Sequence, residues 1–314
     1  MNSLNLYNLE NLVIIIIMII MVLLSVAFLT LFERKILGFI QDRMGPNKVF
    51  MIGIFQPFSD AIKLMTKEIN LIEKLNFMYY MISPLFSLML MLMLWMIYPF
   101  WMNMYSMKLM FLYMISVMSI SVYSMMIMGW SSNSSYALLG SLRSISQTIS
   151  YEVSFILLML INLMLIESFN LINLKIFQKF NWFFFMLMIS NIIFFISVLA
   201  ELNRSPFDLA EGESELVSGF NVEYGSGGFV MIFLTEYGMI LFMSMLCILL
   251  FYGGSLIFFY DFSNFIFLSY MIIWIRGSFP RIRYDNLMYL IWKSILPISL
   301  CNMMFIILMK LINI

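Results

Sequence analysis

The sequence contains no histidine and only two cysteines, Cys247 and Cys301, which lie far apart within apolar runs. Zinc, haem and iron–sulfur clusters are held mainly by histidine and cysteine side chains, so these centres lack ligands here. A phosphate-cradling glycine loop and a dinucleotide fingerprint are also absent from the sequence. We therefore expect no metal, flavin or nicotinamide dinucleotide on this chain, and any redox centre that it serves must be held elsewhere.

Charged residues are scarce, at 11% of 314 residues, while hydrophobic residues make up 63%. A soluble domain carries about 25% charged residues, so this composition predicts a protein of the lipid bilayer. The 17 basic and 17 acidic residues cancel, which leaves no net charge to attract nucleic acid. Glycine is scarce and methionine abundant, as an A+T-rich genome with extra methionine codons would produce, and this indicates mitochondrial encoding.

Long apolar runs recur along the chain, and about 20 apolar residues suffice to cross a bilayer core. The runs lie near residues 11–32, 78–100, 107–129, 145–166, 181–200, 227–252, 257–275 and 287–310. They predict an all-α, polytopic membrane protein with about eight transmembrane helices in a single membrane domain, 1–314. The first run follows no basic segment and is too long for a secretory signal, so we expect it to be retained as a span.

Basic residues are distributed unevenly between the predicted sides of the membrane. Of the 17, the side that carries both termini holds only Lys108, Lys175, Lys179 and Lys310. The other 13 lie in or beside the loops that follow the odd-numbered spans. The positive-inside rule places these loops on the cytoplasm-like side, which is the matrix in a mitochondrion. We therefore predict a multi-pass protein of the mitochondrial inner membrane whose termini face the intermembrane space.

The first matrix loop contains an amphipathic segment, predicted as a surface helix over residues 57–69. Its apolar residues recur at helical spacing, whereas Asp60, Lys63 and Lys67 fall on the opposite face. A turn shaped by glycine and proline, Met44-Gly-Pro-Asn47, precedes it. Lys35, Lys48, Lys74 and Arg283 are expected to face lipid headgroups. Arg34, Arg43 and Lys63 flank the turn and the helix, and a specific role is predicted for them at the mouth of a tunnel for an amphiphile.

Six carboxylates lie within the 23 residues that follow the fifth apolar run, against a single Arg204. They are Glu201, Asp208, Glu211, Glu213, Glu215 and Glu223. Crowded carboxylates at a membrane boundary repel one another and lose hydration, so some can exchange protons near neutral pH. A solvated acidic loop is the alternative, but the segment is interleaved with apolar residues and leads directly into the next span. The pattern favours a functional acidic path.

Two more carboxylates, Glu152 and Glu236, lie within predicted spans. An ionisable side chain at membrane depth is costly unless it is paired, hydrated or neutral, so it indicates function by default. The alternative is a protonated Glu that hydrogen-bonds to a neighbouring helix. Together with the loop carboxylates, these residues predict a proton or charge relay.

Several segments resemble the quinone-tunnel subunit family of respiratory complex I, the relatives of the bacterial H subunit. The matching segments are Glu33-Arg-Lys-Ile-Leu-Gly38, Gln41 to Val49, Gln56 to Glu68, Ala137 to Arg143, Gln147 with Ser150-Tyr-Glu152, the acidic loop, Phe233-Leu-Thr-Glu-Tyr237 and Pro280 to Asp285. They extend over nearly the whole chain. One departure is Phe50, where the family pattern has glycine, and it affects only the local loop.

The resemblance implies a membrane-arm subunit of proton-pumping NADH:ubiquinone oxidoreductase. In that family the first span, the surface helix and span six enclose a ubiquinone tunnel, and neighbouring subunits hold the iron–sulfur cluster that reduces the quinone. Carried onto this chain, the tunnel residues are Arg34, Arg43, Asp60, Lys63 and Phe233. The proton-relay residues are Glu152, Glu201, Arg204, Asp208, Glu211, Glu213, Glu215, Glu223 and Glu236. The implied partners are the other membrane-arm and quinone-module subunits, ubiquinone and membrane lipids.

Three other functions are compatible with parts of the sequence. A stand-alone proton-coupled secondary transporter would also use intramembrane carboxylates, but it predicts internal repeats, and the two halves show no convincing one. A structural anchor for a soluble partner explains the basic loops but leaves Glu152 and Glu236 without a role. The homologous membrane subunit of an energy-converting hydrogenase would share some motifs, although the mitochondrial-type composition argues against it.

Overall fold

The computed structural model describes residues 2–69, 75–97, 107–179, 181–210, 212, 219–221, 223–254 and 259–313, and every regular element within these ranges is helical. The α-helices are α1 (Asn2–Ile40), α2 (Gln56–Met65), α3 (Phe77–Trp95), α4 (Met110–Ser131), α5 (Ser135–Ile166), α6 (Leu171–Phe177), α7 (Phe183–Met186), α8 (Met188–Glu201), α9 (Ser226–Phe251), α10 (Phe259–Ser278), α11 (Tyr284–Tyr289) and α12 (Leu296–Asn313). The predicted all-α, polytopic class is confirmed.

Six helical segments of the described chain are long and apolar enough to cross a membrane. They are Asn11–Ile40, Phe77–Trp95, Met110–Ser131, Ser135–Ile166, Ser226–Phe251 and Tyr284–Ile312. The predicted span near 181–200 coincides with the short helices α7 and α8, and the one near 257–275 coincides with α10. Within the described residues, each of the eight predicted spans therefore coincides mainly with helix, and the number that crosses the membrane stays a prediction.

Two helices extend well beyond the apolar runs that predicted them. α1 continues to Ile40, so Glu33 and Arg34 are helical residues and do not lie in a loop as predicted. α5 begins at Ser135, ten residues before the predicted start at 145, and follows Ser134 in an extended conformation. The Ser134 hydroxyl makes no capping hydrogen bond to the first turn, so the start of α5 does not depend on a side-chain cap. Hydropathy missed both extensions because they contain polar residues, some of which, such as Glu33, Ser141 and Ser144, are buried against the rest of the bundle, whereas Arg34 remains exposed.

Two other helices are interrupted. The predicted fifth span breaks at Leu187, whose φ of −119° and ψ of 41° separate α7 from α8. In the last span, Leu290–Ile295 between α11 and α12 is π-helical. Pro297 follows this segment and has no backbone N–H to donate to the preceding turn, so the regular α-helical hydrogen-bond pattern cannot continue through it.

Helix α9 forms the centre of the bundle and packs against α1, α2, α3 and α10. Its residues from Ile240 to Phe251 are buried on all faces, as expected for a helix that is hydrophobic around its whole circumference. The surface helix α2 ends at Met65, four residues before the predicted Ile69, and lies against α1 and α9. Ile62 and Met65 remain exposed on it, as a helix in the membrane interface requires.

Candidate functional site: a buried charge cluster beside a polar cavity

A buried arginine joins three helices at the end of α8. One Arg204 nitrogen lies 3.1 Å from a Glu33 oxygen on α1, and the other lies 4.0 Å from a Glu236 oxygen on α9. Its guanidinium also stands over the ring of Tyr237, 4.6 Å from the centroid. Glu33 is contacted a second time by Arg276, near the end of α10. Two carboxylates and two guanidinium groups thus form one connected cluster.

Burial determines the energetics of this cluster. Only 9% of the Arg204 side chain and 4% of the Glu33 side chain are exposed. Burial by itself lowers the pKa of Arg204, but the carboxylates of Glu33 and Glu236 and the Tyr237 side chain raise it above its ordinary value. Arg204 therefore stays charged, and the cluster requires its carboxylates as counter-ions because an unpaired buried charge is strongly destabilising.

Sequence reasoning identified Arg204 and Glu236 but gave Glu33, Arg276 and Tyr237 no role in the relay. Glu33 lies just beyond the first predicted span and so falls in a predicted loop, and Arg276 is only one of the 13 basic residues in or beside the predicted matrix loops. A helical signal could have found Glu33, since Val22, Val26, Leu29, Glu33 and Ile36 recur at helical spacing on a buried face of α1. The contacts of Arg276 depend on how α10 packs, and no local signal in the sequence indicates them.

The acidic loop is fixed to the bundle by polar contacts. Asp208 accepts a contact of 3.3 Å from Arg281, which precedes α11. The backbone N–H of Ile282 donates to the carbonyl of Pro206 at 2.9 Å. From α5, the buried amide of Gln147 donates to the carbonyls of Ala200 and Phe207, each at 2.9 Å. The start of the loop is therefore anchored to both α5 and the segment before α11.

A cavity of about 100 Å³ lies between α3, α4, α5, α8 and α9, directly beside the charge cluster. Its polar lining residues are Ser87, Ser121, Ser124, Thr148, Glu201, Asn203, Arg204, Thr235 and Glu236. One carboxylate oxygen of Glu201 is buried and has no hydrogen-bond partner within the described residues. The other half of the lining is apolar, and includes Leu90, Met91 and Met128. A cavity of this size has room for several water molecules, each of which needs about 10–15 Å³ of such space, beside the polar groups. Water there could solvate Glu201 and connect it to Glu236.

Glu152 lies on α5 and is partly buried. Its charge acts on Glu201, which brings the two carboxylates into one electrostatic system although they are 49 residues apart. The structure thus groups Glu152, Glu201, Arg204 and Glu236 around one region. Glu211, Glu213 and Glu215 lie outside the described residues.

The far end of the acidic loop is held by a tyrosine pair. The rings of Tyr80 and Tyr224 are stacked with centroids 4.4 Å apart, and the Tyr80 hydroxyl donates to the Glu223 carbonyl at 2.8 Å. The Tyr224 hydroxyl lies 3.1 Å from that of Ser83 and 3.2 Å from that of Ser131. Burial raises the pKa of Tyr224, so this anchor stays protonated at neutral pH.

The acidic loop packs closely against α5 at Gly140, where the backbones of the two segments approach each other. A Cβ atom at Gly140 would lie 3.0 Å from the Cα of Gly219 and 3.1 Å from the Ala210 carbonyl oxygen. Because both neighbours are backbone atoms, we expect Gly140→Ala to displace the loop and cost about 1–3 kcal/mol of stability. The half-life of activity at elevated temperature would measure this effect. Gly227→Ala is the matched control, since nothing lies within 4 Å of its added Cβ; equal half-lives for both variants would contradict the prediction.

The predicted tunnel residues are brought together only in part. Arg34 on α1 is paired with Asp60 on α2, and Gln56 donates to the same carboxylate at 2.9 Å. Phe233 faces Phe229 one turn earlier on α9, with centroids 4.3 Å apart. The exposed side chains of Arg43 and Lys63 do not belong to the Arg34–Asp60 pair, and Arg43 donates instead to Gln41. The pair thus connects the two helices at the predicted entrance.

The turn between α1 and α2 depends on unusual backbone angles. Gly45 and Gly53 have φ values of 65° and 78°, and a Cβ at Gly53 would lie 2.5 Å from the Pro46 carbonyl oxygen. Phe50 occupies the position where the family pattern has glycine, and its φ is 57° with ψ near 180°, at −173°. That region is occupied almost only by glycine and costs about 1–3 kcal/mol for other residues. The departure from the family pattern is therefore a point of local strain.

Metal ligands are not grouped anywhere in the described part of the chain, where no three Cys, Asp or Glu residues are arranged to hold an ion. Cys247 is buried and Cys301 exposed, and both are free thiols. The chemistry available at the site is therefore that of carboxylates, guanidinium groups and hydroxyls, which can move or compensate charge.

The chain was compared with known proteins. A family model described as NADH dehydrogenase matches residues 13–307. NADH-ubiquinone oxidoreductase chain 1 of Aedes aegypti is 52% identical over 287 residues, which cover 91% of this chain and 92% of the relative. The protein of the same name from Locusta migratoria is 55% identical over 284 residues, 90% of each chain. With a match of this extent, the chain belongs to the NADH dehydrogenase family.

Proposed function

We propose that this protein is the membrane subunit of NADH:ubiquinone oxidoreductase that forms the ubiquinone access tunnel and an acidic path coupling quinone reduction to proton translocation. Its relatives carry the name NADH-ubiquinone oxidoreductase chain 1. The chain acts as part of an oxidoreductase complex, and electrons reach the quinone from a redox centre in a neighbouring subunit. It sits in the mitochondrial inner membrane, with the basic loops and the acidic loop facing the matrix and both termini facing the intermembrane space.

The observation that carries this proposal is the position of Arg204. It contacts Glu33, which neighbours the entrance residue Arg34 on α1, and it also approaches Glu236, which lines the polar cavity together with Glu201. A change of charge at the entrance can therefore alter the electrostatic potential at the cavity through the guanidinium group of Arg204. Buried Glu33 and partly buried Glu236 share this cation, so they are coupled, because a proton taken by one changes the attraction that the cation exerts on the other.

The mechanism follows from charge balance. Two electrons and two protons convert the quinone into the quinol, and electron transfer leaves negative charge on the quinone oxygens until protons arrive. That charge attracts the nearby guanidinium groups and draws protons onto carboxylates of the acidic path. Because the carboxylates interact, they titrate as a group and the shift spreads from the quinone site towards Glu152, Glu201 and Glu236. This shift in protonation is then passed to the neighbouring membrane-arm subunits.

The tunnel is tested by photoaffinity labelling of the intact complex with a ubiquinone analogue that carries a photoreactive tail. We expect labelled peptides within residues 33–68 and 226–237, because α2 packs against α1 and α9 there. Excess unlabelled short-chain ubiquinone should suppress this labelling. Peptides from α6 serve as a control for non-specific reaction. Labelling that misses both regions would count against the tunnel, whatever its level elsewhere.

A further inference from the structure

An apolar groove lies between the broken fifth span and the last helix, at the end of the bundle opposite the acidic loop. Phe185 to Ser190 line one wall, and Cys301, Asn302, Phe305 and Ile306 of α12 line the other. Its volume is about 570 Å³. Ser190 and Ile306 form a buried floor, whereas Phe185 and Phe305 are exposed at the rim. The groove is therefore open towards the surrounding membrane.

The break at Leu187 explains why the groove exists. α8 has 14 residues, and at 1.5 Å per residue it spans about 21 Å, less than the roughly 30 Å of a bilayer core. The single turn α7 precedes α8, and the non-helical backbone angles of Leu187 separate the two helices. α12 is helical throughout Leu296–Asn313, whereas the facing chain is interrupted at Leu187, and the groove lies between the residues around this break and α12.

The dimensions favour a lipid chain over a protein helix as occupant. Each wall is formed by only six consecutive residue positions, which rise about 8 Å along a helix axis. A transmembrane partner helix is about 10–12 Å wide and would require a face that runs the length of the bilayer. A volume near 570 Å³ is instead within the range of small-molecule sites, about 300–1,000 Å³.

Positive charge collects at the same end of the bundle. Lys310 lies one helical turn beyond Ile306 on α12, and Lys175 and Lys179 precede the groove residue Phe185 by ten and six residues. These are three of the four basic residues that the sequence assigns to this side of the membrane. Trp182, whose ring stacks on Phe185 with centroids 6.0 Å apart, has the aromatic character of an interfacial anchor. The groove thus leads from a basic, aromatic rim into the apolar layer.

We propose that this groove binds one acyl chain of an anionic phospholipid, with the phosphate held at the rim by Lys175, Lys179 and Lys310. The apolar walls exclude water from the chain, and the lysines favour a negative headgroup over a zwitterionic one. Lys310 also contacts Glu167, which is exposed, so a phosphate at the rim must share the ammonium group with this carboxylate or displace it. The site is independent of the proposed quinone tunnel.

The test uses the intact complex, delipidated and reconstituted in nanodiscs that contain phosphatidylcholine with a trace of photoreactive lipid. The probes are phosphatidylglycerol and phosphatidylcholine with the same photoreactive acyl chain. We expect cross-links to peptides 185–190 and 301–306, stronger for the anionic probe by about fivefold for each lysine engaged. Maleimide labelling of the exposed native Cys301 should slow when unmodified phosphatidylglycerol is added, but not when phosphatidylcholine is added.

Lysine variants test whether the charge at the rim, and not only the shape of the groove, determines which lipid binds. Lys179→Gln and Lys310→Gln should each lower the preference for the anionic probe, whereas Lys108→Gln, an exposed lysine before α4, should leave it unchanged. Equal cross-linking by both probes, unaffected by these variants, would overturn the role of the lysines. Cross-linking of Cys301 to another subunit, with no lipid adduct in the groove, would show that a protein fills it and would also overturn the proposal. Neither outcome bears on quinone labelling at α1, α2 and α9.

Discussion

Replacing Arg204 by glutamine is expected to lower the amount of assembled complex and to abolish most quinone reductase activity. The change removes the cation that buried Glu33 shares with cavity-lining Glu236, and leaves Glu33 paired only with the partly exposed Arg276. Removing one partner of a buried ion pair typically costs about 3–5 kcal/mol, enough to depopulate the folded subunit. Blue-native electrophoresis measures assembly, and NADH:quinone activity per assembled complex measures function.

Arg283→Gln is the matched control, because Arg283 forms a pair of 3.1 Å with Asp285 but both side chains are largely exposed. An exposed pair contributes at most about 1 kcal/mol, so assembly should be normal. The double variant Glu33→Gln with Arg204→Gln should assemble better than Arg204→Gln alone, since the buried carboxylate charge is gone. Normal assembly and activity of Arg204→Gln would refute the central role of this residue.

The second large effect is expected for Glu201→Gln, which should depress quinone reduction and proton pumping together while the complex assembles normally. Glutamine has nearly the same shape, and a Glu201 oxygen is buried without a hydrogen-bond partner in the described structure, so removing the charge breaks no ion pair there and should not destabilise the fold. A positioned group that transfers protons contributes about 10²–10⁴-fold to a rate. We therefore expect a loss of about 100-fold in turnover.

The measurement compares NADH oxidation and proton uptake by the same proteoliposomes. Glu167→Gln is the control, because Glu167 is an exposed carboxylate that pairs with Lys310, and the change should leave both rates unaltered. Asp208→Asn tests the same relay less cleanly, since it also weakens the contact with Arg281. Full pumping by assembled Glu201→Gln complex would exclude Glu201 from the relay.

Much of the architecture could be predicted from the sequence, because hydropathy is a local property. The apolar runs indicated all the long helices, and the amphipathic pattern at 57–69 indicated α2. The ends were less accurate: α1 passes the predicted end at 32 and reaches Ile40, and the fifth span breaks at Leu187. A charged residue such as Glu33 marks a loop in a hydropathy pattern, yet α1 continues through Glu33, whose charge is paired with Arg204 and Arg276.

The candidate site shows the same division. Carboxylates at a membrane boundary are recognisable in the sequence, since an unpaired charge there is costly wherever the neighbouring helices lie. Which cation meets which carboxylate is not recognisable, because Glu33, Arg204 and Glu236 are separated by 171 and 32 positions and approach only when α1, α8 and α9 pack. The contacts of the tyrosine pair likewise depend on packing, because Tyr80 reaches Glu223 from α3 and Tyr224 meets Ser131 of α4.

The sequence by itself therefore determined that this protein is built of membrane helices, carries acidic residues at one membrane boundary and lacks the histidine and cysteine needed to hold a redox centre. These conclusions depend on composition and on the free energy of transferring each segment from water to the bilayer. Neither depends on which other helix the segment contacts. The tertiary structure decided that Arg204 joins two carboxylates, that a polar cavity lies beside Glu201 and that a groove opens at Leu187. Each of these depends on distances between helices far apart in the chain, and only packing fixes those distances.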